Sequence, residues 1–106
     1  MRVLLDECVP IQIRGALSAH EVSSAQRMGW GGISNGELLD AAEKAGFDLF
    51  IVADKNLRYQ QNLASHHLAI LELWTNHRPT LEQHFDLIRS AAEAMQPGDY
   101  RTMEAP

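Results

Sequence analysis

Short aliphatic runs alternate along this chain with longer segments whose apolar residues recur every three or four positions. Runs of the first kind are typical of buried strands, and segments of the second kind are typical of amphipathic helices. Strands are predicted in RVLL, HEVSSA, FDLFIVAD, LAILELW and PGDYRTMEA, helices in PIQIRGALSA, SNGELLDAAEKAG and TLEQHFDLIRSAAEAM, and a short helix or turn in NLRYQQNLAS. This alternation predicts an α/β fold, with a mostly parallel five-stranded sheet flanked by helices and residues 1–106 in one domain.

The helix boundaries carry signals of their own. Ser34 and Glu37 have the spacing of a capping box, and Gly46 is a residue at which helices commonly end, so a helix is predicted between them. Pro10 suits the first turn of the helix in PIQIRGALSA. The last helix is predicted as one continuous segment. Its apolar face consists of Leu81, Phe85, Ile88, Ala92 and Met95.

Acidic residues directly follow two of the predicted strands. Asp6 and Glu7 come after RVLL, and Asp54 is the last residue of FDLFIVAD. In the common strand order 2-1-3-4-5, ligands bind at the carboxyl ends of strands 1 and 3, where the order reverses. Acidic side chains are seldom buried without a partner, so these carboxylates indicate a binding site at that edge of the sheet.

A divalent cation is the partner that these acidic residues favour. Two carboxylates held close together repel each other and lose hydration, and a cation relieves both costs. Mg²⁺ and Mn²⁺ prefer carboxylate and water oxygens and can activate water to attack a phosphodiester. Asp6 and Asp54 are the first candidates for metal ligands. Glu37 is the third candidate, as a ligand or as a base that positions water, unless it serves only to cap its helix. Glu7 and Asn56 would support these ligands or anchor a water molecule.

The charge balance limits the partners that we expect. With nine Lys and Arg against 14 Asp and Glu, the net charge is −5, which argues against binding nucleic acid through bulk positive charge. Action on nucleic acid through a bound metal remains compatible with this charge. The single cysteine, Cys8, allows no internal disulfide, and we expect it to be a small buried hydrophobe. Without a membrane-length apolar run or room for a signal peptide before the first strand, a cytoplasmic protein is expected.

Three segments of the chain resemble the motifs of a known family. VLLDECVP, SNGELLDAAEKAG and FIVADKNLRYQQN are similar to the motifs LLDEN-x-P, D-E-E-I-L-x-x-A and L-x-T-x-D-x-D-F of the small PIN-like proteins of the DUF5615 group. That group is related to toxin-type PIN ribonucleases. The resemblance implies a PIN-like fold and cleavage of RNA with Mg²⁺ or Mn²⁺, often with an antitoxin protein as partner. A homodimer is a further expectation.

The resemblance also assigns roles residue by residue. Asp6 matches the acid of the first motif, and Asp54 matches the first Asp of the third motif. Asn35 stands where many members have Asp, which leaves Glu37 as the nearest carboxylate in the middle motif. Asn56 replaces the second acid of the third motif. Asn35 and Asn56 are therefore expected beside the metal without adding negative charge.

Residues that follow the third strand are candidates for contacts with RNA. Lys55 and Arg58 could hold phosphates, and Tyr59 could stack on a base, although the same segment also suits an ordinary surface turn. Trp30 in the glycine-rich sequence GWGG is either a second stacking platform or an anchor that packs its loop on the core.

Two other functions fit parts of the sequence. A PIN-like module that binds a partner without catalysis is favoured by Asn35 and Asn56, which reduce the number of carboxylates. A phosphoacceptor receiver domain also carries acids after strands 1 and 3, but it needs a lysine after the fifth strand. The lysines of this chain are Lys44 and Lys55, so the receiver interpretation fits less well.

Overall fold

Five short strands form one sheet in the computed structural model of the chain, which describes residues 1–53 and 67–106. The strands are β1 (Arg2–Leu5), β2 (Glu21–Ser24), β3 (Leu49–Val52), β4 (Ala69–Glu72) and β5 (Tyr100–Thr102). The helices are a 3₁₀-helix (Ile11–Leu17), α1 (Asn35–Lys44), α2 (Arg78–Glu82) and α3 (Phe85–Glu93). The α/β class predicted from the sequence is confirmed.

The strand order is β2-β1-β3-β4-β5, and every neighbouring pair is parallel. The chain leaves β1 to form β2 on one side and then passes back over β1 to form β3 on the other. The strand order therefore reverses between β1 and β3, as expected from the sequence. The carboxyl ends of all five strands form one edge of the sheet, which we call the carboxyl edge. In such sheets ligands bind at this edge, beside the point of reversal.

Apolar layers cover both faces of the sheet. The first, which we call the α3 layer, joins alternate strand residues to the 3₁₀-helix, α2 and α3; its strand residues include Val3, Leu5, Leu49, Ile51, Ala69 and Leu71. The second, the α1 layer, joins the intervening strand residues to α1; these include Leu4, Phe50, Val52 and Ile70. Because successive side chains of a strand point to opposite faces, β1, β3 and β4 are buried on both sides.

Helix α1 is bounded by the residues that the sequence indicates. The Oγ atom of Ser34 accepts a hydrogen bond from the backbone N–H of Glu37 at 3.3 Å and caps the first turn. Gly46 follows the last turn with a φ of +84°, a left-handed conformation that glycine adopts at little cost. The guanidinium of Arg2 lies over the ring of Phe47, with Cζ 4.4 Å from the ring centroid. This contact fastens the chain after α1 to the start of β1.

The segment predicted as one long C-terminal helix forms two helices, so that prediction is wrong. Helix α2 ends at Glu82, and α3 begins at Phe85. The predicted apolar face is still directed at the core, with Leu81, Ile88 and Ala92 buried and Phe85 and Met95 packed against them. The ring of Phe85 lies on Gly15 of the 3₁₀-helix, with Cε2 3.1 Å from the place of a Gly15 β-carbon. A side chain at position 15 would crowd this ring.

The helix predicted in PIQIRGALSA is present as a 3₁₀-helix, and Pro10 is its N-cap rather than a residue of its first turn. Gly15 in its middle lowers the α-helical propensity of the segment. The prediction that Cys8 is buried is wrong. Cys8 is exposed, because it lies in the turn after β1, where neither apolar layer covers it.

The segment NLRYQQNLAS, predicted as a short helix or turn, lies outside the described residues. Within residues 1–53 and 67–106, every helix is too short or too polar to cross a lipid bilayer.

Replacing Gly46 by Ala should lower the free energy of unfolding by about 1–2 kcal/mol, because a β-carbon disfavours left-handed backbone. The added carbon would also lie 3.3 Å from Nη1 of Arg2. Urea denaturation followed by circular dichroism measures the change. Gly31→Ala is the matched control, since its β-carbon would make an ordinary contact, 3.7 Å from Oε2 of Glu7. Equal losses in the two variants would contradict a special role for Gly46.

Candidate functional site

Asp6 lies at the carboxyl edge, at the junction of β1 and β3. It directly follows β1, and its backbone N–H donates a hydrogen bond to the carbonyl oxygen of Ile51 in β3 at 3.0 Å. Asp6 is only 8% exposed. The structure thus places a buried acidic residue where the strand order reverses, which is the position at which a parallel sheet of this kind binds ligands.

Glu7 lies beside the glycine-rich loop that connects β2 to α1. The residue is exposed, and its Oε2 atom is 3.7 Å from the place where a β-carbon of Gly31 would stand. Its backbone carbonyl accepts a hydrogen bond from Nε2 of Gln26 at 3.5 Å. Glu7 therefore lies at the rim of the carboxyl edge, in contact with solvent.

The first turn of α1 lies at the same edge. Helix α1 follows β2 and precedes β3, and these strands are parallel, so α1 runs back from the carboxyl edge toward the opposite edge. Asn35 is its first residue, and Glu37 is exposed in its first turn. The helix dipole favours a carboxylate there. Both interpretations of Glu37, as a cap residue and as a ligand or base, agree with this position.

Five predicted site residues lie outside the described part of the chain: Asp54, Lys55, Asn56, Arg58 and Tyr59. Asp54 follows Val52, the last residue of β3, by two positions in the sequence. Within residues 1–53 and 67–106, no three His, Cys, Asp or Glu residues lie close enough together to hold a metal ion. The cluster of Asp6, Asp54 and Glu37 therefore stays a prediction.

Glu72 is a candidate that the sequence analysis missed. It is the last residue of β4, beside β3, and it is 1% exposed. The hydroxyls of Tyr100 and Thr102 in β5 donate hydrogen bonds to its Oε1 atom at 3.2 and 3.0 Å. Its buried Oε2 atom has no hydrogen-bond partner among the described residues. Leaving a buried acceptor unsatisfied costs roughly 1–3 kcal/mol, and more if it is charged, so Glu72 is a functional candidate.

The sequence does contain a signal for Glu72. It is the charged residue of LAILELW, whose other residues are all apolar. A glutamate is seldom fully buried without a partner, and a strand inside a parallel sheet is normally apolar on both faces. Asp6 is a candidate because it is an acidic residue directly after a strand, and Glu72 is a candidate because it is an acidic residue within one.

Trp30 anchors the glycine-rich loop to the core. It is half-buried against the α1 layer, and its ring meets that of Phe47 edge-on, with the centroids 6.1 Å apart. Its backbone N–H donates a hydrogen bond to the carbonyl oxygen of Ala25 at 2.9 Å. These contacts favour the anchor over the stacking platform.

A cavity of about 770 Å³ opens at the opposite edge of the sheet, near the starts of β3 and β4. Its polar lining residues include Glu43, Asp48 and His67. Asp48 accepts a hydrogen bond from the backbone N–H of Arg2 at 2.8 Å, and Glu43 accepts one from the backbone N–H of His67. These carboxylates thus join chain segments to one another. Because parallel sheets bind ligands at their carboxyl edge, we place the candidate site there and not in the cavity.

No family model, curated protein or solved structure matches this chain. The resemblance to the PIN-like group of the DUF5615 type stays a prediction, and the candidate site is argued from the geometry of the chain itself.

Replacing Ser34 by Ala should lower the free energy of unfolding by about 1 kcal/mol, because the capping hydrogen bond to the Glu37 N–H is lost. Glu37→Gln should change it by less than about 0.5 kcal/mol, since this side chain is exposed and the cap uses its backbone N–H. Urea denaturation without added metal measures both effects. Ser34→Asp keeps a capping oxygen and serves as the control. A large loss in Glu37→Gln would assign its carboxylate a structural role in the cap.

Proposed function

We propose that the protein is an endoribonuclease that depends on Mg²⁺ or Mn²⁺. The observation that carries this proposal is the burial of Asp6 at the carboxyl edge, at the end of β1 beside β3, where the strand order reverses. A carboxylate at the point where the strand order of a parallel sheet reverses is placed to bind a ligand, and its oxygens suit Mg²⁺ or Mn²⁺. The unsatisfied buried oxygen of Glu72 at the same edge also fits a hard cation, which prefers carboxylate oxygens.

Each candidate residue has a role that follows from its position in the chain. Asp6, directly after β1, and Asp54, which follows β3 in the sequence, would supply carboxylate oxygens. Glu37, exposed in the first turn of α1, either adds a ligand or positions water and takes its proton. Glu7, Asn35 and Asn56 support these groups. When bound, the cation polarises the phosphodiester and lowers the cost of the negative charge that develops during hydrolysis.

The charge of the protein suggests how RNA would be bound. A net charge of −5 repels a polyanion, so attraction must come from the metal and from cations close to the site. Lys55 and Arg58 follow Asp54 closely in the sequence and are the candidates for these cations. Tyr59 offers a ring for stacking on an unpaired base, which favours single-stranded RNA as the substrate.

A binding module without catalysis is the second candidate. It is favoured by Asn35 and Asn56, which stand where the PIN-like motifs carry acids. The two candidates differ in a simple property, because the nuclease requires a bound divalent cation and the binding module does not.

The purified protein should cleave single-stranded RNA with Mn²⁺ or Mg²⁺ and should lose this activity in excess EDTA. Asp6→Asn and Asp54→Asn should each reduce the cleavage rate at least a hundredfold, because each removes a metal ligand. Asp86→Asn is the matched control, since Asp86 is a fully solvent-facing acid on α3. A gel assay with a labelled oligonucleotide measures the rates. Cleavage that persists in EDTA, or an unchanged rate in Asp54→Asn, would refute the nuclease.

Arg58→Ala should weaken RNA binding about tenfold without changing Mn²⁺ affinity, because a guanidinium holds phosphate and not metal. Fluorescence anisotropy with an RNA oligonucleotide and titration with Mn²⁺ measure the two affinities separately. Arg89→Ala removes the same charge from the exposed surface of α3 and is the control. If RNA affinity is equal in both variants, the segment after Asp54 is a surface turn and not a substrate contact.

A further inference from the structure

Asp6 and Glu72 lie in one row across the sheet. Leu5 pairs with Ile51 and Val52 pairs with Glu72, so the residue after Leu5, Asp6, stands opposite Val52. The hydrogen bond from the Asp6 N–H to the Ile51 carbonyl continues the ladder to this point. The row therefore runs from Asp6 through Val52 to Glu72, at the carboxyl edge.

The two acidic side chains also leave the same face of the sheet. Asp6 is two residues after Leu4 and Glu72 is two residues after Ile70, and both apolar residues belong to the α1 layer. Side chains two positions apart on a strand share a face. Neighbouring strands lie about 4.8 Å apart, so the Cα atoms of Asp6 and Glu72 are separated by roughly 10 Å across two strand intervals. The side chain of Val52 is on the same face and lies between the two acidic residues.

The carboxylate of Glu72 is held from one side only. Tyr100 and Thr102 both donate to Oε1, which fixes the carboxylate against β5. No described residue bonds the buried Oε2 atom. Protonation would not remove the problem, since a carboxylic acid would still leave Oε2 as an acceptor without a donor, or as a donor without an acceptor. As a carboxylate, the group needs a positive or donating partner at Oε2.

We propose that Glu72 and Asp6 hold one divalent cation between them above Val52, with Oε2 of Glu72 as a ligand atom. This inference rests on the proposed function and adds to it a ligand from β4 that the motifs do not contain. Tyr100 and Thr102 act as positioning residues, because they orient the ligating carboxylate through its other oxygen.

The chemistry of the pair favours a divalent metal ion. Carboxylate oxygens are the ligands that a hard divalent ion prefers, and its charge of +2 offsets the repulsion between two acidic side chains on one face. Mg²⁺ and Mn²⁺ bind oxygen at about 2.1 Å and readily keep waters in their remaining positions. A span of roughly 10 Å between Cα atoms leaves room for an Asp and a Glu side chain to reach one ion from opposite sides.

Titration calorimetry of the metal-free protein with MnCl₂ tests this inference. Glu72→Gln keeps the shape of the side chain and should weaken Mn²⁺ binding by more than about tenfold. Asp6→Asn should do the same. Glu82→Gln is the matched control: it removes one acidic charge from the exposed surface of α2 and should bind Mn²⁺ like the wild type. Mn²⁺ should also raise the melting temperature of the wild type and of Glu82→Gln, and should do much less for Glu72→Gln.

The possible outcomes separate this inference from the proposed function. If Asp6→Asn loses Mn²⁺ binding and Glu72→Gln keeps it, the metal is bound without Glu72, and the inference fails while the proposed function stands. If the wild type does not bind Mn²⁺, both fail and the binding module takes their place.

A second variant guards against loss of the fold. If circular dichroism shows that Glu72→Gln does not fold, Tyr100→Phe provides the test, because it keeps the ring and removes one hydroxyl that orients Glu72. Its Mn²⁺ affinity should fall, although by less than that of Asp6→Asn. An affinity equal to that of the wild type would contradict the role of Glu72.

Discussion

Apolar side chains cover both faces of β1, β3 and β4, and this two-sided burial decides where polar groups can lie. A strand inside a parallel sheet has neighbours on both edges and helices above and below, so a charged side chain within it meets no water. Functional groups are therefore displaced to the ends of the strands. Asp6, placed immediately after β1, follows this rule and is nearly as buried as the strand that it follows.

The winding of the chain selects which strand ends matter. The 3₁₀-helix between β1 and β2 packs in one layer, and α1 between β2 and β3 packs in the other. The two connections thus pass on opposite faces of the sheet and leave β1 and β3 without a connecting segment between their carboxyl ends. Asp6 occupies this position, and the first turn of α1, with Glu37, lies at the same edge.

Glu72 is a buried acidic residue at the end of β4, a strand that is otherwise apolar. An aliphatic residue at the end of β4 would pack in the α1 layer without leaving an oxygen unsatisfied, and replacing buried charged groups in this way is often neutral or stabilising. Instead, the hydroxyls of Tyr100 and Thr102 in β5 both donate hydrogen bonds to Oε1 of Glu72. Its Oε2 atom is buried without a hydrogen-bond partner among the described residues. A buried polar group that lowers stability is typical of functional sites, because the same group is needed for binding or catalysis.

The sequence by itself determined the α/β class, the five strands, the position of α1 between its cap Ser34 and Gly46, and the place of Asp6 directly after β1, because these depend on local periodicity, capping and strand ends. Only the tertiary structure decided the break before Phe85, the exposure of Cys8 and the environment of Glu72. At the break, Phe85 packs on Gly15, which is distant from it in the sequence. The state of Glu72 depends on hydroxyls 28 and 30 residues away, brought beside it by the pairing of β4 with β5. Contacts between residues so far apart leave no periodic trace in the chain, since they exist only after the sheet has formed.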